Sequence, residues 1–152
     1  MTHDTMTELE LLAAKQACQD LVVRFARLSD ERDATGLAGL FADDAVMRRP
    51  DGSELRGRTA IAAAYADRPA DRITRHHVGN VLIELQSPVS AAGTSSVLLW
   101  TASAADPAGP FGRPAGARQV IGEFHDRYVK TDGGWRFTER VARFTLVREA
   151  QA

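Results

Sequence analysis

The residues best suited to chemistry are two adjacent histidines in ITRHHVGNVLIE, residues 73–84, and an aspartate, Asp30, in the polar run SDERD. Histidine changes charge near neutral pH, so it can take and return a proton. A carboxylate behind it fixes its tautomer and stabilises its protonated form. Asp30 is unusual on its own account. It falls at the end of a predicted helix, where an acid meets the negative end of the helix dipole at a cost of a few tenths to about 1 kcal/mol. It is either a solvated acid in a polar run or an interior carboxylate that orients a histidine. Asp33 fits the second part if the helix register differs, and otherwise caps a short second helix.

If residues 73–84 form a strand, His76 and His77 point to opposite faces, so one of them reaches the interior. Asn80, four residues after His76, shares its face in a regular strand. There it would hydrogen-bond a substrate oxygen or tie down the strand end. Phe124, Asp126 and Tyr128 alternate with Glu123, His125 and Arg127, and the first set is expected to face inward. Asp126 is then a polar spot in a pocket or the partner of an arginine such as Arg143. Phe25 and Trp100 are expected to contribute aromatic wall beside Phe124. No metal is expected. No pair among His76, His77, His125 and Asp126 has the i, i+4 spacing of a helical zinc site, and neighbours on a strand diverge. No phosphate-cradling glycine loop or nucleophile elbow is present, and no cofactor is expected.

The elements that must position these residues follow from periodicity. Thr7 and Glu10 form a capping-box pattern ahead of a helix over about residues 8–29, with Leu21, Phe25 and Leu28 on one stripe. ATGLAGLFADDA predicts a short second helix with Leu37, Leu40 and Phe41 buried. A small hairpin turns at Asp51-Gly52, and RTAIAAAYADR predicts a third helix with Ile61, Ala64 and Tyr65 on one face. Four long strand candidates follow: TRHHVGNVLIELQ, GTSSVLLWTASA, ARQVIGEFHDRYVKT and GWRFTERVARFTLVRE. TDGGW joins the last two. Residues 105–117, rich in Pro, Gly and Ala, predict a long loop over a cavity mouth or a subunit contact. Residues 1–7 are expected to be a disordered tail. The order, helices and then an antiparallel meander, predicts an α+β fold in one domain over residues 1–152. Its strongly curved sheet, closed by three helices, forms a cone with an interior cavity.

Composition narrows the partners. Nineteen basic and 20 acidic residues give a net charge of −1, which argues against nucleic acid. The single cysteine, Cys18, allows no intrachain disulfide and fits a small buried residue. The N-terminus is polar, and no apolar run approaches the roughly 20 residues needed to span a bilayer. A soluble cytoplasmic protein is expected, with no membrane partner.

Taken in order, LFADDAVMR, the G-R-x-x-I start of the third helix and the terminal DGGWRF resemble the SnoaL-like branch of the nuclear transport factor 2-like superfamily. The resemblance spans about residues 9–147. Residues 19–45 are similar to the first helices of scytalone dehydratases and hexachlorocyclohexane dehydrochlorinases, in which an aspartate ending helix one is catalytic. This implies Asp30. The TRH of residues 74–76 is similar to the T-x-H that carries the catalytic histidine, which implies His76 rather than His77. The substrate-recognising groups of those enzymes are not matched. Ser29 stands at a tyrosine of the dehydratase, Phe124 opposite its asparagine, and Phe25 at a lysine of the dehydrochlorinase. The resemblance also implies a homodimer.

Two functions fit. One is a cofactor-independent dehydratase, cyclase or double-bond isomerase, in which Asp30 and His76 move a proton on a small apolar or aromatic oxygenated molecule. The other is a non-catalytic small-molecule-binding or dimerisation module. An Asp30–His76 contact at an apolar pocket would favour the first. A cavity filled by Phe25, Trp100 and Phe124, with His76 bonded only to backbone, would favour the second.

Overall fold

A computed structural model describes residues 6–149. Helix α1, Glu8–Glu31, starts at a full capping box. The Glu10 amide donates to Thr7 Oγ1 at 3.2 Å and the Thr7 amide to Glu10 Oε2 at 2.8 Å. Residues 1–5 of the expected tail lie outside the described residues. The buried stripe of α1 is Ala14, Cys18, Leu21, Val22, Phe25, Ala26 and Ser29. The helix stops where Arg32 turns left-handed, with φ of 63°. Asp33 then caps α2, Ala34–Ala38, accepting the Gly36 amide at 2.8 Å.

The second helix is shorter than expected. Leu37, Leu40 and Phe41 fit a helical spacing, but the chain leaves the helix at Gly39 and enters a strand, β1, Phe41–Arg48. There Phe41, Ala45 and Met47 are buried. Tertiary pairing overrides the local pattern, because β1 lies parallel to the last strand with Val46 opposite Glu139. A turn with Gly52 at φ of 84° leads to β2, Glu54–Arg56, and then to α3, Arg58–Ala66.

Four long strands follow: β3 (Arg72–Ser87), β4 (Ser90–Ser103), β5 (Gln119–Thr131) and β6 (Gly134–Arg148). The six-stranded sheet has the order β2-β1-β6-β5-β4-β3. It is mixed and open, since β1 and β6 are parallel and the other neighbours antiparallel. With the helices against one face it has the expected cone-like α+β form. Cross-strand partners share a face. His76, Leu99 and Val120 therefore lie in one inward row, and Ser95, Phe124 and Ala142 in another. Phe25 of α1 is the hub of the interior, edge-on to Phe41 at 6.0 Å and to Phe124 at 5.9 Å between centroids. The segment between β4 and β5 has no named strand or helix, and Phe111 at its tip is fully exposed.

Candidate active site

Asp30 occupies the last turn of α1, and the sheet wraps so that β3 lies beside it. Its carboxylate accepts three hydrogen bonds. His76 Nδ1 is 2.6 Å from Oδ1, the His76 amide donates to Oδ2 at 2.9 Å, and Thr74 Oγ1 donates to Oδ1 at 3.0 Å. This explains an acid at a helix C-terminus: donors of the neighbouring strand outweigh the unfavourable dipole. Burial works against the charged form, yet the bonds from His76 and Thr74 prevail and hold the Asp30 pKa below the usual aspartate value. An ionised carboxylate only accepts, so Nδ1 must carry the proton. That leaves Nε2, on the opposite edge of the ring, as the basic nitrogen. The two side chains are 14% and 10% exposed, so the pair is shielded but reachable.

His76 lines a cavity of about 410 Å³ on the concave face. Phe25 and Phe124 line it too, with Val97, Leu99 and Val120 of the sheet and Ala64 and Tyr65 of α3. His77 is exposed on the convex face opposite Leu98.

Four expected ligand residues are placed elsewhere. Trp100 stands on the convex face in a groove with Arg75 and His77. Leu99 is the residue opposite His76, so its neighbour Trp100 must point the other way. Asn80 shares no face with His76. A bulge falls between Gly79 and Leu82, and Asn80 takes a left-handed φ of 50° there and is exposed. Asp126 and Tyr128 are buried, but neither lines the cavity that holds His76. Asp126 pairs with Arg140, at 2.8 Å from Nε and 2.7 Å from Nη2, and Tyr128 donates to it at 3.2 Å. Arg140, not Arg143, is the partner, because it lies directly across from Asp126, whereas Arg143 is opposite Glu123.

Arg140, Tyr65 and Arg68 were not marked as site residues by the sequence. Arg140 is fully buried, its guanidinium 3.9 Å from the Phe124 centroid, 4.3 Å from Phe25 and 4.4 Å from Phe137. Its Nη1 has no hydrogen-bond partner among the described residues. An inward charge on a strand, opposite an inward Asp126, was the available signal. Arg68 lies over the Tyr65 ring at 4.2 Å and donates to Ser29 Oγ at 3.0 Å. Burial pushes the Tyr65 pKa up, against the pull of Arg68, Arg140 and Arg49, so its hydroxyl is protonated at neutral pH. Among the described residues no group of three or more His, Cys, Asp or Glu side chains could hold a metal ion. No helix there is long and apolar enough to cross a membrane.

Solved structures share this architecture. A protein from Novosphingobium aromaticivorans proposed to be a scytalone dehydratase is 23% identical, with 96% of this chain and 93% of that chain covered and a TM-score of 0.80. The hexachlorocyclohexane dehydrochlorinase LinA-type3 from Novosphingobium barchaimii is 20% identical, with 96% of each chain covered and a TM-score of 0.80. ActVI-ORFA from Streptomyces coelicolor is 22% identical, with 85% and 95% covered and a TM-score of 0.68. At these identities the likeness concerns the fold alone. No curated protein matches the sequence. The SnoaL-like domain model, however, matches residues 10–141, and the chain belongs to that family.

Proposed function

We propose that the protein is a cofactor-independent lyase or isomerase that moves a proton on a small, largely apolar, oxygenated molecule. The observation that carries this reading is the 2.6 Å contact between Asp30 and His76, whose ring lines a cavity with Phe25, Leu99, Val120 and Phe124. His76 Nε2 is the general base and takes a proton from an acidic C–H of the bound molecule. Asp30 is the positioning residue: it holds the Nδ1–H tautomer and offsets the charge of the imidazolium that forms. The imidazolium then returns the proton to a different carbon, or to a departing hydroxyl as water leaves. Double-bond migration, dehydration and aldol-type cyclisation share the first step. A cavity of about 410 Å³ suits a substrate of one or two rings.

The proposed dehydratase and the dehydrochlorinase among the structural neighbours agree with this class of chemistry. A binding-only module would have its histidine bonded only to backbone and its cavity filled by Phe25, Trp100 and Phe124. Here the ring meets a carboxylate; Phe25 and Phe124 line the cavity, and Trp100 points away from it. The test is a thermal-shift screen of phenolic and polyketide-like compounds, followed by turnover assays of the hits. His76→Ala and Asp30→Asn should each lose turnover. Equal turnover in wild type and both variants rejects the proposal.

A further inference from the structure

The cavity entrance carries a charge excess that proton transfer alone does not use. Arg49 follows β1, Arg68 follows α3 and Arg72 opens β3, and all three line the cavity that holds His76. Arg143 borders it as well, from a position paired across the sheet with Glu123. Asp67 is the one acid among the lining residues. The chain as a whole is balanced, with 19 basic and 20 acidic residues, so this excess is local. None of Arg49, Arg68 and Arg72 joins a salt bridge among the described residues, although six other arginines do.

The backbone that carries Arg68 and Arg72, and the Arg68 guanidinium itself, are also held in place. Arg32, the left-handed residue that ends α1, donates to the Arg68 carbonyl at 3.1 Å and the Arg72 carbonyl at 2.9 Å. The segment bearing both arginines is thereby pinned to the end of the helix that carries Asp30. Arg68 is fixed again by the Tyr65 ring beneath it and by Ser29, one residue from Asp30. Its bond to Ser29 uses Nη1. Burial lowers the Arg68 pKa, and Arg72, Arg49 and Arg32 disfavour its charge further. A pre-placed cluster of like charges is costly when empty and favourable once an anion sits in it.

We infer that the substrate carries a carboxylate, clamped by Arg68 with Arg72 and Arg49, at the end of a ring system whose acidic C–H lies at His76. This rests on the proton-transfer reading for the placement of the reacting end. Arg72, Thr74 and His76 share the concave face of β3, and Arg72 is four residues, roughly 13 Å, up the strand from His76. Long side chains narrow that span to the length of one or two rings. The planar fork of arginine matches the two oxygens of a carboxylate.

Binding measured without turnover tests the inference. The probes are benzoate, cyclohexanecarboxylate and 2-naphthoate, each against its primary carboxamide, with phenyl phosphate as a further anion, by calorimetric titration. The expected result is carboxylate affinity at least roughly tenfold above the carboxamide, as a charge-assisted pair provides. Arg68→Met should abolish the preference and leave carboxamide affinity unchanged, and Arg72→Met should reduce it. His76→Ala should retain the preference, which separates this inference from the proton-transfer reading: loss of either leaves the other standing. Wild-type titrations decide the matter even if Arg68→Met fails to fold. Carboxylates that bind no better than carboxamides, including a panel in which neither binds, overturn the inference. So does phenyl phosphate binding tighter than every carboxylate.

Discussion

Two inward-facing aspartates, one paired with an arginine and the other with a histidine, divide the interior between them. Asp126 and Arg140 are 1% and 0% exposed and joined by two hydrogen bonds, under a cover of aromatic rings. Asp30 and His76 are 14% and 10% exposed, and His76 lines the cavity. Arginine keeps its proton at any working pH, so the first pair cannot exchange one and serves to place charge within the core. A histidine side chain can take and return a proton, which is the property the proposed chemistry draws on. Pairing a carboxylate with a nitrogen donor is therefore not itself a mark of catalysis. What matters is whether that donor titrates and whether a substrate can touch it.

That contrast can be broken from either side. The largest effect is expected on activity. His76→Ala should lower turnover by roughly 10²–10⁴-fold, the usual worth of a general base, with the fold intact by circular dichroism. Asp30→Asn should cost a similar factor. Asp126→Ala should act on stability instead, by about 3–5 kcal/mol in denaturant unfolding, because it leaves Arg140 charged, buried and unpaired.

A smaller effect concerns pH. The Asp30 pKa is lowered in the folded state, so its contribution to stability is present in full above the ordinary aspartate value of 3.8. It is lost as pH falls through the lowered value. The difference in thermal midpoint between wild type and Asp30→Asn should therefore close in strong acid. A difference that widened in acid would mean that the pKa is raised instead. The smallest effect belongs to His77→Ala. On the convex face, it should change turnover by less than about twofold and stability by no more than about 0.5 kcal/mol.

The residues differ in how much of their placement was legible in the sequence, and the reason is range. The α1 stripe and the Thr7–Glu10 box depend on neighbours three or four residues away, and both are where the periodicity places them. The meander of long strands was readable from its alternation. Trp100 was misplaced because its face depends on which residue of β4 stands opposite His76, a register that no local pattern encodes. Asn80 was misplaced by one bulge, which undoes strand parity. Phe41 was assigned to a helix because its parallel partner strand lies near the other end of the chain. Nothing local in the sequence singles out Arg140 and Arg68, since aromatic faces and a helix end cover them only in three dimensions. The contact of Asp30 with His76 spans 46 residues, and its two members were named through a family resemblance that spacing alone could not replace.

The central claim is that Asp30 holds His76 with its proton on Nδ1 and its basic nitrogen free. Nitrogen-15 NMR of the labelled protein reads this directly, with no substrate needed. In the neutral ring of wild type, His76 should show the Nδ1–H tautomer, and Asp30→Asn should lose that preference. An Nε2–H tautomer in wild type, or a tautomer indifferent to Asp30, would contradict it.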